Sequence, residues 1–167
     1  MKILLPVSLA TAVALSGCAS YDGRGLEAGK ASEADVLRVM GTPDDTLKRP
    51  NGDKTLYFSR QPEGRQIYAA TVGADGSLRG IDPLLVPDNI RKVAAGSSSR
   101  AEVRELLGPP SRAARAPFKP LDVWEYRWQV GADRRVLWVV FSDDGVAREV
   151  TDMHDFEFEP NTGKGKD

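Results

Sequence analysis

The chain predicts an α+β fold built from two tandem units. Three observations carry that expectation: an internal repeat, a serine-capped amphipathic segment heading each copy, and a strand-like stretch closed by Asp-Gly near each copy's end. Gly29, Ser32, Val36, Gly41 and Pro43 recur 67 positions later as Gly96, Ser99, Val103, Gly108 and Pro110. Further on the offset becomes 69, so residues 67–72 lie over 136–141, and Asp75-Gly76 over Asp144-Gly145. A colinear series of this kind marks repeated structural units.

Each unit opens on a helix. Ser99-Arg100-Ala101-Glu102 has the spacing of a capping box, in which the serine hydroxyl and the glutamate carboxylate each satisfy a free backbone amide. Ser32 and Asp35 offer a weaker version. Val103, Leu106 and Leu107 form an apolar stripe at i, i+3 and i+4, as do Val36, Val39 and Met40. Gly108 and Gly41 end the two helices, with Pro110 and Pro43 beyond them. Residues 88–95 predict another short helix, capped by Asp88 and ended by Gly96. In the first unit only residues 25–29 stand there, so that helix is shortened or missing.

Strands follow. Over residues 123–130, Trp124, Tyr126, Trp128 and Val130 alternate with Glu125, Arg127 and Gln129, which predicts one core face and one wet face. Residues 55–58 fill the same place in the first unit. The two Asp-Gly turns lead into strands at 77–81 and 146–150. The expected unit is one or two helices packed on one face of three antiparallel strands, used at 26–82 and again at 83–159, with a joint at 82–87. Each half has too little core to stand alone, so the two are expected to pack together.

At the N-terminus Lys2 precedes an apolar run over residues 3–15 that is too short to span a bilayer and reads as a signal peptide. Leu15-Ser16-Gly17-Cys18 closes it, and Cys18 is the single cysteine. This resembles the lipobox of bacterial lipoproteins. The resemblance implies cleavage between Gly17 and Cys18, acylation of Cys18, and a peripheral protein held by its lipid. Ala19 in place of an aspartate implies the outer membrane, facing the periplasm. Residues 18–25 are then the lipidated tether, and residues 160–167 a disordered tail.

Composition narrows the function. The formal charge of −1 offers no basic excess for nucleic acid. With Cys18 acylated, no thiol remains for a disulfide, a metal or nucleophilic catalysis. His154 is the only histidine, and Asp152-Met153-His154-Asp155 reads as an exposed histidine among acids rather than a ligand set. Asp143-Asp144 reads as a hairpin turn, because Ala74-Asp75 occupies the same corner of the first unit. No phosphate-binding glycine pattern occurs. The expectation is a protein without catalytic residues, metal or cofactor.

The informative surface candidate is Trp138. Leu137, Val139 and Phe141 occupy one face of their strand and Val136, Trp138 and Val140 the other, where the first unit has Ala69 and Thr71. That extra apolar area must be covered. The favoured expectation is that the other unit covers it. The competing one is a partner protein docking on Val136, Trp138 and Val140, with Trp138 as anchor.

The run from Pro87 to Pro110, followed by Trp124-Glu125-Tyr126 and residues 139–145, is similar to the BamE (SmpA/OmlA) family of outer-membrane assembly lipoproteins. Members of that family typically carry one such unit, and this chain carries two. Tandem units also resemble the β-lactamase-inhibitor-protein fold, whose exposed sheet face grips another protein. The first resemblance implies a non-catalytic binding or scaffold module in outer-membrane β-barrel assembly or envelope maintenance. The second implies an alternative, a periplasmic inhibitor or sequestering module binding an enzyme through the outer sheet face.

Overall fold

In the computed structural model, which describes residues 20–115 and 122–156, the chain forms two four-stranded antiparallel sheets and three short helices, an α+β arrangement. The order is α1 (Glu33–Met40), β1 (Asp45–Lys48), β2 (Lys54–Ser59), β3 (Ile67–Val72) and β4 (Leu78–Pro83). Then come α2 (Pro87–Ile90), α3 (Arg100–Leu107), β5 (Arg112–Arg115), β6 (Asp122–Val130), β7 (Asp133–Phe141) and β8 (Ala147–His154). Both sheets run in simple meander order, β1 to β4 and β5 to β8.

Each sheet therefore has four strands where three were expected. The extra strands, β1 and β5, are four-residue edges whose sequences, DTLK and RAAR, lack apolar alternation, so nothing local announces them. The repeat itself is reproduced bond for bond. In unit 1 the Gly29, Leu78 and Glu33 amides donate to the Leu78, Ala31 and Gly76 carbonyls; in unit 2 Gly96, Ala147 and Arg100 donate to Ala147, Ser98 and Gly145. These bonds stitch each helix start to its unit's last strand.

Helices α1 and α3 carry complete capping boxes, Ser32 with Asp35 and Ser99 with Glu102, so the first box is as well formed as the second. The Asp35 carboxyl is held well below its ordinary range, first by the Arg38 guanidinium and then by the Ser32 amide and hydroxyl. The Ser99 amide and hydroxyl lower Glu102 in the same direction. The helix expected at 88–95 is only one turn: Pro87 starts it, Val86 is its N-cap, and Asp88 makes no capping bond. Proline at N1 supplies the helical φ without needing a bonded amide.

The segment expected to be a free tether is built onto unit 1 from Ser20 onward. The Ser20 amide donates to the Val39 carbonyl at 2.8 Å, Tyr21 and Leu26 pack on the first core, and the Arg60 guanidinium lies 3.9 Å from the centre of the Tyr21 ring. Gly23 is placed so tightly that a Cβ there would collide with Ile81 Cδ1. The signal-peptide and lipidation positions, including Gly17 and Cys18, and the tail at 160–167 lie outside the described residues.

Two cores result. Val36 and Met40 share the first with Leu56, Phe58, Ala70, Val72 and Leu78. The second joins Tyr57, Ile67 and Ala69, which lie on the opposite face of the first sheet, to Val103 and Leu107 of α3 and to Tyr126, Leu137, Val139 and Phe141 of the second sheet. Consecutive residues 55–58 are all buried, so β2 is covered on both faces. At the meeting point Gly108 adopts φ 80°, ψ −167°, and a Cβ there would lie 2.9 Å from Ile67 Cγ2. From the other side the Tyr126 hydroxyl donates to the Gly108 carbonyl at 3.1 Å. Arg104 pairs with Asp45, and Arg49 with Glu105, across the same seam. The joint is shorter than expected: β4 takes Asp82 and Pro83, and residues 84–86 connect the units with Leu84 and Leu85 buried.

Candidate interaction surface

The second sheet exposes the face opposite its core, and the strand register sets out its residues in rows. One row is Arg112, Glu125, Trp138 and Thr151; the next is Ala114, Val123, Val140 and Glu149. Most of these residues line a shallow groove of about 480 Å³. Trp138 is 41% exposed, and its indole Nε1 donates to Glu125 Oε2 at 3.2 Å. Val123 and Val140 are half-buried beside it.

The expectation that the first unit covers Trp138 is not met. The first unit's counterpart of this face, bearing Tyr57, Ile67 and Ala69, is buried in the second core, whereas Trp138 on the second unit's face is exposed. Val136, grouped with Trp138 in the sequence, is buried at the far end of its face and offers no exposed contact. Trp138 and Val140 are brought together, with Val123 of β6 as a neighbour that the period of β7 alone could not supply.

That far end is where the alternation of β6 misleads. Arg127, expected on a wet face, is only 7% exposed. Its guanidinium meets Glu125 Oε1 at 3.2 Å and Asp155 Oδ2 at 3.4 Å, and Arg65 Nη1 donates to the same Asp155 oxygen at 2.7 Å. Gln61 completes the site: its Nε2 donates to the Arg127 carbonyl at 2.7 Å, and its Oε1 accepts from the Arg127 amide at 3.0 Å. A loop of unit 1 thus covers one end of the second sheet with buried, paired charge. Val130, at the end of the same strand, is exposed rather than core.

The acidic run around His154 is divided among separate partners. Asp152 accepts from Trp128 Nε1 at 3.0 Å, Asp155 belongs to the arginine cluster, and His154 Nδ1 lies 2.8 Å from Asp133 Oδ1. Asp133 is held below its ordinary range by Arg135 first and His154 second. Asp144 accepts from Ser142 and the Val146 amide within its turn and pairs with Arg148, while Asp143 pairs with Arg115. Among the described residues no group of three His, Cys, Asp or Glu side chains is placed to hold a metal ion.

No protein-family profile matches this chain, and no curated protein matches it. Among solved structures, a DUF4309 family protein (YjgB) from Bacillus subtilis is similar at 20% identity over 81% of this chain and 90% of that one, with a TM-score of 0.31. A likeness at that level carries neither architecture nor activity across.

Proposed function

We propose that this chain is a lipid-anchored, periplasm-facing outer-membrane protein that acts without catalysis, as a binding or scaffold module in outer-membrane assembly or envelope maintenance. In this reading its helices each cover one face of a sheet, giving the layer order α1, first sheet, α2 with α3, second sheet. The last sheet then has one face without a layer above it. The observation that carries the proposal is the exposure of Trp138 on that face, one row from the paired Val123 and Val140 and with Arg112, Glu125 and Glu149 lining the same groove. An exposed indole set among aliphatic residues with a charged rim has the anatomy of an interface anchor.

The lipobox-like Leu15-Ser16-Gly17-Cys18 supports the location. Its resemblance to lipoproteins, and that of the repeat to the BamE family, supports the envelope role. The alternative, a sequestering inhibitor, calls for a groove shared by both sheets, and the burial of Tyr57, Ile67 and Ala69 takes the first sheet out of such a groove. The test is affinity purification of the parent and of Trp138→Ala from solubilised outer membrane, with labelled palmitate followed on the parent and on Cys18→Ser. The expected result is label on the parent alone and an envelope-assembly component retained by the parent but lost from Trp138→Ala. Capture of no such component by the parent would remove the proposal.

A further inference from the structure

We infer that the resting occupant of the Trp138 face is a second copy of this chain, seated across a two-fold axis that runs parallel to the strands between β6 and β7. The inference rests on the reading of that face as a docking surface and names what docks there. It is argued from the charges the face leaves over. Arg112, on the β5 edge, and Glu149, on the β8 edge, are both exposed and enter no ion pair among the described residues. One side of the face is therefore cationic and the other anionic, with Trp138, Val123 and Val140 between them.

A two-fold axis along the strands reverses the order of each row. It brings Arg112 of one copy over the Thr151 and Glu149 corner of the other, and Val123 over Val140. Trp138 comes over Glu125 of the second copy, the residue type its indole already donates to. A two-fold axis across the strands would instead set β5 over β5 and bring the arginines together. Near-aligned sheets are also a preferred packing geometry for two twisted faces.

Head-to-tail stacking is disfavoured by the repeat. The internal seam is tied by Arg104 to Asp45 and by Glu105 to Arg49. At the free ends the equivalent positions are Leu37 for Arg104, Arg38 for Glu105 and Arg112 for Asp45, so a head-to-tail contact would set Leu37 against Arg112 and lose its ties. An isologous contact closes at two copies, whereas a heterologous one would run on. Four strands about 4.8 Å apart make a face narrower than a standard interface, so the contact is a weak one that dissociates in the micromolar range.

Sedimentation velocity of the full chain in density-matched detergent tests this. The expected result is a two-chain species that dissociates on dilution. Arg112→Glu and Glu149→Arg should each weaken it at least about tenfold, and an equimolar mixture of the two variants should restore it, because the reversed charges then face each other. Both positions are exposed, and matching circular dichroism melts establish that the variants fold. A single-chain mass for the parent up to ~100 µM overturns the proposal, as do open-ended larger species or variants that associate like the parent. A single-chain parent that still captures an envelope component through Trp138 overturns the two-fold contact and leaves the scaffold reading standing. A two-chain parent that captures nothing supports the contact and removes the scaffold reading.

Discussion

The two sheets share a topology and differ in what lies over them. In the first, Leu56 and Phe58 face the α1 core while Tyr57 faces the second core, so β2 has no wet side. In the second, Tyr126 and Leu137 are buried while Trp138 on the opposite face is open. Two units of one topology thus differ in which sheet faces are buried. A strand-face pattern read within one unit foretells which residues share a face and not whether that face is covered.

The sharpest way to break this comparison is an aromatic truncation on the matching faces. Tyr57→Ala should cost about 4 kcal/mol in urea denaturation, whereas Trp138→Ala, removing a ring that already meets solvent, should cost about 1 kcal/mol. Equal losses would mean that the second face is covered as well. Next in size is the tie between the units at Asp155, since replacing it removes the buried carboxylate that Arg65 and Arg127 share. Asp155→Asn should cost about 3 kcal/mol, with a loss of cooperativity in thermal melts followed by near-ultraviolet dichroism.

The two helix-ending glycines sharpen the comparison further. Gly41 and Gly108 share an extended, positive-φ conformation that favours glycine, but nothing lies within 4 Å of a Cβ at Gly41, whereas Ile67 blocks one at Gly108. Gly41→Ala should therefore cost about 1 kcal/mol of strain and Gly108→Ala about 3 kcal/mol. A smaller cost at Gly108 would argue against the tight seam.

The smallest and most symmetric effect belongs to the caps: Ser32→Ala and Ser99→Ala should each cost about 1 kcal/mol. Because Asp35 and Glu102 are both lowered in the fold, their contributions are present above the ordinary carboxylate range and fade as the pH falls through the depressed values. Parallel acid titrations should show the acid sensitivity of stability reduced in Asp35→Ala and in Glu102→Ala.

Local chemistry made part of this structure legible. The capping boxes, the helix-ending glycines and the Asp-Gly turns each need residues within a few positions of one another, and all are where the spacing places them. The edges β1 and β5 were not legible, because an edge strand needs no apolar alternation. Nor was the burial of Arg127, whose partners Gln61 and Asp155 lie 66 and 28 positions away. Of the surface candidates, Trp138 and Val140 remain on an accessible face and Val136, the register partner of the buried Arg127, does not.

Gln61 has a consequence for solubility. β6 spans nine residues and β5 only four, so past Glu125 no strand among the described residues pairs with β6 on that side. By giving and taking a hydrogen bond at Arg127, the Gln61 amide does what a neighbouring peptide group would do, and it removes that docking point for foreign chains. A single side chain in a turn of one unit thus serves as a guard against fibrillar growth from the other, a protection that depends on the two units staying folded against each other.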